Sequence, residues 1–311
     1  MKYWKKYTKD KLIARIDKAL ESTIDFQNSK HLGYPVSKLD ENVFNTSGAF
    51  LNDSPLLKSF IANPNNIGCH TLGTSEPAFK GSQELEREVI KVLAEDIFKS
   101  EEDNYDGYIA TGGTEANMQA LWIYRNLFKR AYNANLNEMV IISSADTHYS
   151  VNKGSNLLGV ENVSIPVDFE TREIIVDELE TIVKKLVSEG KKYFMVISNL
   201  ATTMFGSVDN PDVYAEVLKK NKVEFRIHVD GAFGGFIYPI SNKNSKVNFE
   251  NPNVSSITID AHKMLQAPYG TGVFLCRKGL IENVLTKEAQ YVDGMDLTIV
   301  GSRSGANAIA V

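Results

Sequence analysis

Two cysteines in 311 residues, Cys69 and Cys276, are too few and too far apart to staple a disulfide scaffold. That usage predicts a reducing compartment and a cytoplasmic protein. No apolar run approaches the roughly 18 residues of a membrane span, and the opening Met1-Lys2-Tyr3-Trp4-Lys5-Lys6 has no apolar signal core. Positive charge is not in excess: 34 Lys and Arg against 39 Asp and Glu leave a net charge of -5, which gives no electrostatic case for nucleic acid. Metal-ligand spacing, internal repeats and low-complexity tracts are missing too. With 43% hydrophobic and 23% charged residues, the chain has the make-up of an ordinary globular protein long enough to bury a sizeable core.

What is present centres on two stretches, Arg226-Ile227-His228-Val229-Asp230-Gly231-Ala232 and Ser255-Ser256-Ile257-Thr258-Ile259-Asp260-Ala261-His262-Lys263. In each a β-branched run ends in polar residues. This is the pattern of a buried parallel strand that delivers functional groups at its carboxyl end, where open α/β sheets bind ligands. An acid on one strand end and a lysine after the next suit pyridoxal phosphate. That cofactor needs an amine for its aldehyde and a carboxylate to keep its ring nitrogen protonated. Taken singly, Asp230 reads equally as a cap and Lys263 as a surface residue; the pair gains weight from the rest of the chain.

In chain order, Leu12, Ile13, Ile16, Leu20 and Ile24 recur at helical spacing and predict an amphipathic helix between Tyr3 and Ser29. Loops with short helices follow, Leu56 to Ile61 being one. A helix capped by Ser82 is expected from there to Phe98. Thr111-Gly112-Gly113-Thr114-Glu115-Ala116-Asn117 then opens a helix running to about Tyr132. A glycine pair at such a junction frees N–H groups at the positive end of the helix, the means by which these folds grip phosphate. The plain alternative is a tight turn before a helix capped by Thr114. Strands at Met139–Ser143 and Tyr193–Ser198 and a helix at Val176–Ser188 continue the alternation, which predicts a mainly parallel sheet with helices on both faces. His148 falls just past one strand end, toward the same crevice.

Five blocks, taken in order, carry a resemblance: the Thr111–Asn117 stretch, Asp146-Thr147-His148-Tyr149-Ser150, His228-Val229-Asp230-Gly231-Ala232, His262-Lys263 and Gly301-Ser302-Arg303-Ser304-Gly305. The chain resembles the group II pyridoxal-phosphate decarboxylases from about Gly33 onward. Within that family Gly33-Tyr34-Pro35, the Asp146 to Val151 block and the spacing from Tyr291 to Gly301-Ser302-Arg303 look most like the bacterial histidine decarboxylases. The segment from His70 to Phe79 departs from theirs, leaving histidine one candidate substrate among several amino acids. His70, Glu76 and Phe79 are candidates for the substrate pocket.

The resemblance implies an aspartate-aminotransferase-like, fold type I α/β architecture: an N-terminal helical arm over residues 1–55, a large cofactor-binding domain over 56–290, and residues 291–311 opening a segment whose C-terminal small domain does not follow in this chain. It also implies a homodimer with shared active sites. Lys263 would hold the cofactor as an aldimine, with His262 on the phosphate, Asp230 on the pyridinium nitrogen and Ala232 against one ring face. His148 would stack on the other face. Gly113 and Thr114 would bind phosphate, Thr203 would lie near the ring hydroxyl or substrate carboxylate, and Ser302 would reach the phosphate of the partner subunit. Tyr291 would return a proton to the substrate carbon. Decarboxylation of an amino acid to its amine is the expected reaction. A carbon–carbon lyase or aldehyde synthase on the same cofactor, and a cofactor-binding protein of poor activity, stay open as alternatives.

Overall fold

The computed structural model describes residues 6–24, 36, 39–72, 75–286 and 295–311. Seven strands form one sheet in the order β1-β7-β6-β5-β4-β2-β3. They are β1 (Tyr105–Ala110), β2 (Met139–Ser144), β3 (Asn162–Ile165), β4 (Tyr193–Asn199), β5 (Glu224–Gly231), β6 (Val254–Asp260) and β7 (Gly272–Arg277). Adjacent strands from β6 to β3 run parallel, whereas β7 pairs antiparallel with both β6 and β1. The carboxyl ends of β1, β2, β4, β5 and β6 therefore share one edge of the sheet.

Period-2 alternation divides the core. Met139, Ile141, Met195 and Ile197 pack toward Ala116, Ala120, Leu121 and Tyr124 of the helix Gly113–Tyr132. Their neighbours Val140, Ile142, Phe194 and Val196 face Leu179, Val183 and Leu218 from the helices Val176–Ser188 and Pro211–Lys220. Both faces of these strands are covered, which is why they read as continuous apolar runs rather than as alternating ones.

The N-terminal helix spans Lys9–Glu21, within the expected amphipathic stretch, and is capped by Thr8. It lies on the helix Lys80–Lys91 at Gly81, where a Cβ would stand 2.1 Å from the Ala19 carbonyl oxygen. That second helix starts before Ser82, so the predicted cap is not one. Ser82 instead lies inside the first turn and donates to Asn66 Oδ1 at 2.7 Å. The helical path continues through a π-helical stretch, Val92–Ile97. The short helix expected near Leu56 spans Pro55–Ala62. At the other end of the chain the helix Gly305–Ala310 packs against the helices Pro55–Ala62 and Lys80–Lys91. Among the described residues no helix is long and apolar enough to cross a membrane.

Candidate active site

Each group of the site stands where a β-strand gives out. β1 ends at Ala110, and after Thr111-Gly112 the chain turns into the helix Gly113–Tyr132, whose N-cap position is Gly112 with no side-chain cap. Thr114 is therefore not the cap. It sits within the first turn and lines the crevice with Thr111, Gly112 and Gly113. The strand end is braced by Glu115, which accepts from the Thr111 N–H and hydroxyl at 2.7 Å each and from the Tyr108 hydroxyl at 3.0 Å.

β5 carries Asp230 into the floor of the crevice, 8% exposed. Its carboxylate accepts from the Ala232 N–H at 3.1 Å and from the Asn117 amide at 2.7 Å. Burial raises its pKa, and these two donors together with His148 and Lys263 oppose that rise. From the end of β6, Lys263 Nζ stands 3.0 Å from Asp260 Oδ2, and His262 Nε2 lies 3.5 Å from the same oxygen. His148, beyond the end of β2, accepts at Nδ1 from the Ser150 N–H at 3.2 Å, and burial lowers its pKa.

Two contiguous clefts open here and share His148, Tyr149, Ala232 and Lys263. The one of about 370 Å³ holds the glycine pair, Thr114 and His262. The other, about 210 Å³, holds Asp230, Asn199 and, on its far rim, Thr202, Thr203 and Met204. Gly113, Thr114, His148, Thr203, Asp230, Ala232, His262 and Lys263 are thus brought together. Ser302 is exposed, accepts from the Asn65 amide at 3.0 Å, and lines neither cleft. Tyr291 and Gly33-Tyr34-Pro35 lie outside the described residues. His70, Glu76 and Phe79, the candidates for the substrate pocket, are all buried and line neither of these two clefts. Burial pushes the His70 imidazole down to about 4, beside the carboxylate of Glu86.

Asn117 and Asp260 were present in the quoted motifs but carried no role. A signal existed for each: Asn117 is one helical turn beyond Gly113, on the same face, and Asp260 is one turn before Lys263. Asn199 had none, since its position opposite Asp230 depends on the register of β4 with β5.

The donor set fits pyridoxal phosphate. Uncapped N–H groups at a helix start suit the phosphate, and a buried carboxylate suits a protonated ring nitrogen. Two buried atoms at the site, Asp260 Oδ1 and His262 Nδ1, lack a hydrogen-bond partner among the described residues. Residues 9–302 match the family described as the pyridoxal-dependent decarboxylase conserved domain. The chain belongs to that family. Pyridoxal phosphate is accordingly its cofactor. All 311 residues align at 54% identity with a tryptophan decarboxylase of Clostridium sporogenes, covering 75% of that protein. A histidine decarboxylase of Vibrio anguillarum is 31% identical over 73% of this chain and 56% of its own length. The chain thus spans between about half and three quarters of the length of these curated relatives. The structure superposes on L-methionine decarboxylase from Streptomyces sp. 590 with a TM-score of 0.70 at 20% identity, covering 97% of this chain and 72% of that one. At that identity the likeness shows the fold alone, and the fold is the expected type I.

Proposed function

We propose that this protein decarboxylates an aromatic L-amino acid to its amine and carbon dioxide, with tryptophan the first candidate. The observation that carries the reaction is the meeting of Lys263, Asp260, Asp230 and His148 in one crevice. The substrate rests on the 54% identity to a tryptophan decarboxylase across the whole chain, against 31% to a histidine decarboxylase.

When bound, pyridoxal phosphate supplies an aldehyde that condenses with amines and a protonated ring that takes up the electron pair of the breaking bond. Lys263 is the amine that holds it, kept in place by the Asp260 carboxylate at 3.0 Å. Asp230 would keep the proton on the ring nitrogen. His148 and Ala232 would flank the ring, while Gly113, Thr114 and His262 would hold the phosphate. Thr203 would contact the ring hydroxyl or the substrate carboxylate, and Tyr291 would return the proton to the substrate carbon. An apolar rim of Tyr149, Met204, Phe205 and Tyr269, all more than half exposed, supports a homodimer closed over the crevice. Ser302 would then reach the partner's phosphate.

The test is a panel of L-amino acids with the cofactor-loaded protein, reading amine and carbon dioxide. Tryptamine as the main product is expected, with none from Lys263→Ala. Histamine as the main product would overturn the substrate assignment, and aldehyde in place of amine the reaction.

A further inference from the structure

Beneath the crevice, a line of buried side chains continues from Asp230 into the core, and none of the roles above uses it. Asn117 Nδ2 stands 2.7 Å from Asp230 Oδ2 and 3.1 Å from Ser150 Oγ. Asn117 Oδ1 is 3.0 Å from His228 Nε2, and His228 Nδ1 is 2.6 Å from Ser256 Oγ, which contacts the Tyr124 hydroxyl. Ser150 Oγ in turn lies 2.9 Å from Nδ1 of His148. Asn117, His228, Ser256, Tyr124 and Ser150 are each at most 1% exposed. Asn117 is the fork, with Asp230 on one branch and His148 on the other.

The direction of every bond in this line is forced. A carboxylate only accepts, so Asn117 turns its NH2 edge toward Asp230. Its second amide hydrogen goes to Ser150, whose hydroxyl hydrogen is then free for His148 Nδ1. His148 Nδ1 also accepts from the Ser150 N–H at 3.2 Å, so its proton sits on Nε2 whatever the hydroxyl does. On the other side, Asn117 Oδ1 offers only lone pairs, so His228 must present Nε2–H and leave Nδ1 to accept from Ser256. Thr258 Oγ1, at 3.1 Å, shares the same hydrogen. The opposite tautomer would set two lone pairs against each other in a dry core. Burial pushes the His228 imidazole down to about 3, so the ring stays neutral and holds a single N–H.

We propose that Asn117 and His228 are positioning residues of this site: the Nε2–H tautomer of His228 fixes the Asn117 amide, and that amide sets Asp230. The proposal rests on the reading of Asp230 as partner of the ring nitrogen. It goes further in making a buried amide, itself fixed by His228, responsible for the setting of that carboxylate.

Nitrogen-15 NMR of the histidine side chains in the cofactor-loaded, otherwise unaltered chain tests it without any substitution. Nε2 protonated and Nδ1 bare are expected at both His228 and His148 across about pH 6 to 8. A protonated Nδ1 or a cationic ring at His228 would overturn the proposal. The second arm measures pyridoxal phosphate affinity. Asn117→Leu removes a hydrogen bond to a buried charge and is expected to bind about tenfold or more weakly, with His228, left between the Ser256 and Thr258 hydroxyls, losing its tautomer preference. A loss of stability alone would not change that tautomer. Unchanged affinity or an unchanged His228 tautomer in Asn117→Leu would overturn the proposal while leaving Asp230 its role. Asp230→Asn separates the two claims: if it too binds normally, the ring-nitrogen reading fails first.

Discussion

Gly272 backs onto Gly112 so closely that a Cβ on Gly272 would stand 2.5 Å from the Gly112 Cα. The first residue of the antiparallel strand β7 thereby shores up the turn from which the helix Gly113–Tyr132 springs. The obstacle is backbone, which cannot swing aside as a long side chain can. Gly272→Ala should cost about 1–3 kcal/mol of stability through overpacking and weaken cofactor binding, because the displaced segment is the phosphate end of the crevice. Denaturant unfolding and cofactor titration check both parts; a variant that melts normally and binds normally would show that the turn does not depend on this contact.

Arg303 is the keystone of the chain's last segment. The residue is 5% exposed, and its guanidinium pairs with Glu86 and donates to the carbonyls of Ile109 and Gly68, with its charge 4.9 Å above the Tyr108 ring. Glu86 also accepts from the Ile109 N–H at 2.7 Å and from Asn66 at 2.9 Å. Arg303→Leu would strand a buried carboxylate, and a loss of about 3–5 kcal/mol is expected. The paired change Arg303→Leu with Glu86→Leu should recover part of it. An equal or greater loss in the double variant would contradict the ion pair as the cause.

Asp209 supplies a pH dependence. Buried behind Asn199, from which it accepts two hydrogen bonds of 2.9 Å, its carboxyl is pushed up by burial to about 7. The folded protein therefore keeps a proton that the unfolded chain releases from about pH 4 upward, and this residue's contribution to stability falls as pH rises toward 7. Asp209→Asn removes the titration but retains a carbonyl to accept from Asn199. Melting midpoints of the variant relative to the unaltered protein should rise steadily between about pH 4 and 7 and then level off. A difference that does not vary with pH would place Asp209 in an ordinary carboxylate environment.

Periodicity made the main elements legible because packing on both faces writes itself into composition. The strands β2, β4, β5 and β6 and the helices Gly113–Tyr132 and Val176–Ser188 follow from apolar runs that local physics cannot hide. Lys263, Asp230 and His148 were legible for a related reason: each follows directly on such a run. Where the sequence misled, a cap was inferred from residue type. Ser82 and Thr114 are good N-caps by chemistry, yet both helices begin earlier, at Lys80 and Gly113. Gly81 and Gly113 answer to close approach in three dimensions, to Ala19 in one case and to Ala232 and Asp260 in the other. The antiparallel insertion of β7 between β1 and β6 was likewise out of reach, since its register is set by partners far away in the chain. The burial of His70, Glu76 and Phe79 was not legible, because polar and aromatic residues in a loop look alike whether they face a cleft or the interior.

The most direct test of the central claim is borohydride reduction of the protein loaded with pyridoxal phosphate, followed by peptide mass spectrometry. The account predicts a phosphopyridoxyl group on Lys263 and on no other lysine, and its disappearance in Lys263→Ala. A group carried by a different lysine, or none on a protein that retains its fold, would contradict it.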